Sequence, residues 1–265
     1  MTNELSLSRQ SRLVPIEKIS QWSIKIYGVG SVGSNVTRTL AKTGFRDIEV
    51  FDMDTVDKEN IAAQAFSFKH IKMNKVDAMK DIVLEETGIE ITATHGQVTE
   101  ESQTDAEPNV VYCCFFDSID ARKMLFNKLK EFPIIFVDGR IGGFNMRHYL
   151  IDCSNKKEIL LYEKSINMKA RSELQCGEKA SAPINTELAG KIVSNIVSYI
   201  SGRDYINPFM GCVTHPKNDI AIVKPGTGVE EEPETPPEQE TTIEPEPNSE
   251  SPTEVAEPIV TESSE

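Results

Sequence analysis

Apolar residues recur in a regular succession between positions 24 and 200. Residues 24–27 form a short apolar run that stops at Gly28, the pattern of a buried strand entering a turn. Residues 32–43 have helical spacing, and Gly44 stands where a left-handed C-cap belongs. A second strand is predicted at 48–51, ending in Asp52. The spacing of Val76, Met79, Ile82 and Val83 predicts a helix over 74–86. Strands follow at 89–93 and at 110–116, the latter a continuous apolar run of the kind buried on both faces of a parallel sheet. A helix at 119–130 and a strand at 134–137, ending at Asp138 and Gly139, complete the alternation. This order predicts an α/β fold with a doubly wound, mostly parallel Rossmann-like sheet. The C-terminal half is expected to add antiparallel strands at 146–151 and 158–162, a loop at 163–183, a helix at 185–200 and an edge strand at 220–223.

Charge then divides the chain. Of its 42 acidic residues, 13 glutamates lie in 229–265, a segment with 7 of the 14 prolines and no aromatic residue, Lys or Arg. Residues 1–228 are left with 28 basic against 29 acidic side chains. The expected organisation is a polar arm at 1–20, a nucleotide-binding domain at 21–228 and a disordered acidic tail at 229–265. A near-neutral body argues against a nucleic-acid grip built on bulk positive charge. No apolar stretch is long enough to span a membrane, and the N-terminus has no apolar signal core. The five cysteines form no CxxC pair, so neither a disulfide framework nor a structural zinc is expected, and a cytoplasmic location is.

The chemistry concentrates at Gly28-Val29-Gly30-Ser31-Val32-Gly33, a GxGxxG between strand and helix. Gly28 allows the tight turn, Gly30 the approach of a phosphate, and Gly33 close helix–strand packing. The helix N-terminus adds free N–H groups and a positive dipole end. Asp52, 19 residues after Gly33, ends the next strand, where a carboxylate can hold ribose hydroxyls. These features admit either NAD or ATP. The histidines at 70, 95, 148 and 215 stand in no evident catalytic frame for a dehydrogenase.

The next segment separates the two. Asp52-Met53-Asp54-Thr55-Val56, then Asn60-Ile61-Ala62-Ala63-Gln64, then Lys75 opening a helix, resembles the ThiF/MoeB adenylyltransferases, bacterial relatives of ubiquitin-activating enzymes. The resemblance extends to Asp117-Ser118-Ile119-Asp120 with Arg122, to Asp138-Gly139 with Gly142-Gly143, and to Cys176 and Pro183 before a helix. Ser8-Arg9-Gln10 is similar to the family's N-terminal triplet. It implies ATP-dependent activation of the C-terminal carboxylate of a small ubiquitin-like or sulfur-carrier protein as an acyl adenylate. It further implies that Asp52 holds ribose and that Asp54 and Gln64 belong to the nucleotide site. Asn60 and Lys75 would contact phosphates, Asp120 would bind magnesium, and Arg9 would act in trans within a homodimer.

The chain departs from the family pattern at Ala63, where an arginine is usual, and at Ala121, where an asparagine is usual. Lys58, Lys69 or Lys72 are the nearby cations that could stand in for the lost arginine. Cys176, with Lys179 close by, is the candidate transfer thiol, whereas Cys113 and Cys114 sit in an apolar strand and read as core. Two other readings stay open: a ThiF-like scaffold without turnover, and an NAD-dependent oxidoreductase.

Overall fold

The computed structural model describes residues 5–102, 104–167, 181–212 and 220–224. Among them, the parallel strands are β1 (Ser23–Tyr27), β2 (Ile48–Asp52), β3 (Thr92–His95), β4 (Val110–Cys114) and β5 (Ile135–Gly142). Three antiparallel strands extend the same sheet: β6 (Asn145–Asp152), β7 (Tyr205–Cys212) and β8 (Ile220–Lys224). The spatial order is β3-β2-β1-β4-β5-β6-β7-β8. The chain therefore reverses its direction of winding between β1 and β4. That switch opens a crevice beyond the carboxyl ends of the strands.

Helices cover both faces. A short turn of helix, α1 (Ile16–Ile19), precedes β1. With α2 (Ser31–Thr43), α3 (Lys75–Thr87) and α6 (Ala182–Ser201) it shares one apolar core, which includes Ile26, Val36, Leu40, Val50, Met79 and Ile192. On the other face α4 (Ile119–Leu129) and α5 (Lys156–Asn167) pack over a second core with Tyr112, Phe126, Phe136 and Tyr162. Alternation along β4 sends Cys113 to the first core and Cys114 to the second, both fully buried. The expected cap Gly44 closes α2 in the left-handed conformation, and Gly202 closes α6 in the same way.

Three expectations are corrected. The third strand begins at Thr92 rather than at residue 89. Residues 158–162 lie in the helix α5, not in a strand, because the buried positions Glu158, Tyr162 and Ile166 repeat every four residues. The helix also occupies residues 163–167 of the expected loop. Strand β7 escaped the pattern because Pro208 and Gly211 interrupt it. The register of β7 against β8 shifts between Ile206 and Phe209, where proline has no donor to offer. No helix of the described residues is long and apolar enough to cross a membrane.

Candidate functional site

The turn after β1 is shaped by backbone crowding. Gly28 has φ +92°, and a Cβ there would lie 3.0 Å from the carbonyl carbon and oxygen of Phe115. At Gly33 a Cβ would fall 1.8 Å from the Gly28 carbonyl oxygen. Gly30 instead faces open space, with nothing within 4 Å of an added Cβ. Two glycines thus permit the fold of the loop, and the third leaves room above it. Gly30 is also the N-cap of α2, so the unpaired N–H groups of that helix border the same space.

Asp52 fixes the loop to the next segment. Its Oδ2 accepts the Val29 N–H at 2.8 Å, and its Oδ1 accepts the Asp54 N–H at 2.8 Å. Burial raises the Asp52 pKa, and the two backbone donors and the Lys75 charge act against that rise. The Asp54 carboxylate pairs with the Lys75 ammonium at 2.7 Å, and the Asp54 carbonyl accepts the Lys75 N–H at 2.9 Å. The Lys75 side chain is 9% exposed and that of Asp54 55%. A buried stem therefore delivers a cation to the surface beside the phosphate loop.

The segment that carries Asn60 and Gln64 reaches the loop by a second route, through Ala63 and Ala65. The Asn60 Oδ1 accepts the Asp57 N–H, and the Asn60 carbonyl accepts the Gln64 N–H, closing a compact turn. Ser34 of α2 donates its hydroxyl to the Gly30 carbonyl and accepts the Ala65 N–H. The Ala63 carbonyl receives amide hydrogens from Asn35 of α2 and from the fully buried Asn185 of α6. The first turn of α6 and the N-terminal half of α2 thus converge on this segment. Asn185 is a site-building residue that periodicity could not flag, because it occupies a core-facing helix position.

The remaining sequence candidates lie apart. Asp120 is exposed in the first turn of α4, with no hydrogen bond or ion pair to the loop residues above. Asp117 is better placed by topology. It follows Phe115 and Phe116, whose backbone lies against Gly28, at the mouth of the β1–β4 crevice. Arg9 sits at the far end of α2: Gln10 beside it donates to the Lys42 carbonyl, and Leu7 packs at Gly44. The 13 residues of α2 separate that turn from Gly30 by about 20 Å of helical rise. Cys176, Lys179, His215 and the tail at 229–265 lie outside the described residues.

Of the possible substitutes for an arginine at 63, Lys69 pairs with Asp81 and Glu85, and Lys72 with Asp57. Lys58 makes no ion pair among the described residues. His70 is buried between Ser67 and Asp81, so its bonds are structural. No group of three or more His, Cys, Asp or Glu side chains gathers as a metal cage among the described residues. One or two carboxylates at the head of α4 fit a magnesium ion that takes its other ligands from phosphate and water.

Known proteins share this architecture. A crystal structure of E. coli MccB with AMPCPP and MccA superposes with a TM-score of 0.61 at 15% identity, covering 81% of this chain and 67% of that one. A structure of PaaA gives 0.60 at 17% identity, covering 82% and 68%. In sequence, the chain is 29% identical over 126 residues to the NEDD8-activating enzyme E1 catalytic subunit of Caenorhabditis elegans, covering 47% of this chain and 29% of that protein. It is 36% identical over 84 residues to SUMO-activating enzyme subunit 2 of Dictyostelium discoideum, covering 31% and 13%. The chain thus spans less than a third of the length of either curated relative. The ThiF family itself matches residues 6–227, nearly the whole of the described fold, and the chain belongs to that family.

Proposed function

We propose that the chain is an ATP-dependent adenylyltransferase that activates the C-terminal carboxylate of a small ubiquitin-like or sulfur-carrier protein. One observation carries the reading: the unbroken series of contacts from the Val29 N–H through Asp52 and Asp54 to the Lys75 ammonium. A dinucleotide-binding loop needs Asp52, but hydride transfer has no use for a cation held beside the phosphates. The NEDD8- and SUMO-activating relatives support the same substrate class.

In the proposed reaction a carboxylate oxygen attacks the α-phosphorus, the α–β phosphoanhydride bond breaks, and pyrophosphate leaves. Two anions must approach, so positive charge has to be in place before the bond forms. Lys75 supplies it as a point charge that exchanges Asp54 for a phosphate oxygen. The N-terminus of α2 adds N–H donors above Gly30. Asp52 orients the ribose, and the Nδ2 of Asn60 is available to the phosphates. Asp120, together with Asp117, would hold magnesium, whose charge lowers the repulsion at the phosphates. A hollow of 430 Å³ lined by Arg140, Met146, Arg147 and Met210 lies at the carboxyl end of β5 and is the candidate seat for an extended peptide tail.

Thermal unfolding with ATP plus magnesium, and separately with NAD, tests the nucleotide. A ligand at 100 times its dissociation constant adds about 2.7 kcal/mol. A shift with ATP and magnesium supports the proposal, a shift with NAD alone replaces it with an oxidoreductase, and none with either favours a scaffold. ATP–pyrophosphate exchange tests the residues. Lys75→Ala is expected to abolish it, and comparing Asp117→Ala with Asp120→Ala separates the two carboxylates. Retained exchange in all three would sink the assignment. Cys176→Ala is expected to keep exchange and to lose any covalent thioester or persulfide.

A further inference from the structure

We propose that Arg122 is a positioning residue: its buried ion pair with Asp138 clamps the turn 117–120 at the head of α4 in the place where its carboxylates serve the nucleotide site. The inference rests on the adenylation reading for its functional meaning, but the clamp itself stands on geometry.

From Asp117 to Ala121 no side chain is buried, and Ile119 is 40% exposed. The N-cap contributes one long bond, Ala121 N–H to Ser118 Oγ at 3.3 Å. Left to these contacts the turn would fray. Arg122 is the first buried residue of α4, at 6% exposure. Its Nη1 pairs with Asp138 Oδ1 and reaches the carbonyl oxygens of Gly139 at 3.2 Å and Cys114 at 3.5 Å. One guanidinium therefore ties the helix head to the carboxyl end of β4 and the middle of β5 together.

Asp138 is held from the other side. Its Oδ2 accepts Arg140 Nε at 2.6 Å and the Tyr162 hydroxyl at 2.9 Å. With no exposure and three partners, the carboxylate has no freedom to follow Arg122, so Arg122 must come to it. Residues behind a metal-binding group act in this way by fixing its orientation.

The test uses the full chain with Arg122→Lys and Asp138→Asn. A double variant, Arg122→Gln with Asp138→Asn, removes both charges of the pair, leaves only the partly exposed Arg140 without its carboxylate, and serves if the single variants do not fold. Mn²⁺ uptake is followed by electron paramagnetic resonance with saturating AMPCPP, and amide hydrogen exchange is followed at residues 119–123. Half-saturating Mn²⁺ is expected to rise about tenfold or more, the effect of losing an outer-shell partner. AMPCPP affinity in metal-free buffer should stay unchanged, and exchange at 119–123 should accelerate while that of α2 does not. Unchanged Mn²⁺ uptake overturns the inference even where the turn loosens, because a purely structural contact would do that much. If the unaltered chain takes up no Mn²⁺ with AMPCPP, the adenylation reading falls instead. Exchange at 119–123 then judges the clamp alone: faster exchange upholds it and unchanged exchange overturns it.

Discussion

From β1 to β4 the sheet is held by apolar side chains, and its polar groups gather at the strand ends. From β5 onward buried polar groups enter the interior itself. Glu158, 1% exposed, accepts the Asp152 N–H, the Tyr205 hydroxyl and the Asn207 amide. Asn195 bonds both backbone groups of Ile206. His148 is buried against Phe209 with its Nδ1 unpartnered. The parallel half would tolerate a change of pH and suffer from a lost methyl group. The antiparallel half should behave in the opposite way, since hydrogen bonds in a buried network are strong only when complete.

Acid gives the largest contrast. Burial, then the nearby Lys191 charge, lowers the His148 pKa to about 3 from an ordinary 6.5. The folded chain thus holds this ring neutral while the unfolded chain protonates it. The resulting stability is complete above pH 6.5 and is lost as pH falls toward 3. It amounts to roughly 5 kcal/mol at full extent. Urea unfolding between pH 7 and 4 should show this loss, and His148→Phe should lack it. Equal acid sensitivity in that variant would erase the distinction between the halves.

Leu40→Ala sharpens the other side. Leu40 is fully buried in α2, and its truncation should cost about 3 kcal/mol at any pH in that range. Glu158→Gln comes next, at about 2 kcal/mol, because an amide replaces one acceptor oxygen with a donor facing donors. A neutral result in urea unfolding would mean that the network is not a structural element. Gly30→Ala should have the smallest effect on stability, under ~0.5 kcal/mol, since its Cβ meets open space. It should nevertheless reduce the thermal shift given by ATP and magnesium.

The same division explains what the sequence made legible. Strand β1, helix α2, the three glycines and Asp52 follow from apolar period and turn chemistry, and the structure joins them as expected. Helix α5 was misread because Glu158 occupies a core position, so the helical period was broken where a charge stood in for an apolar residue. Strand β7 was missed because its proline and glycine look like a loop. Arg122, Asp138 and Arg140 gave no signal as a buried cluster. Charges are read as surface until their partners are brought beside them, as Asp138 is beside Arg122 across 16 positions.

The distance between the Arg9 turn and Gly30 has a consequence for stoichiometry. A chain whose arginine stands exposed in a turn that Leu7 and Gln10 pin at the far end of α2 cannot bring that group to its own phosphates without unpacking the arm. If the proposed adenylation uses Arg9, the group would come from another molecule, and specific activity is expected to fall on dilution. Two inactive variants, Arg9→Ala and Lys75→Ala, would restore activity when mixed, because a hybrid pair contains one site with both groups intact.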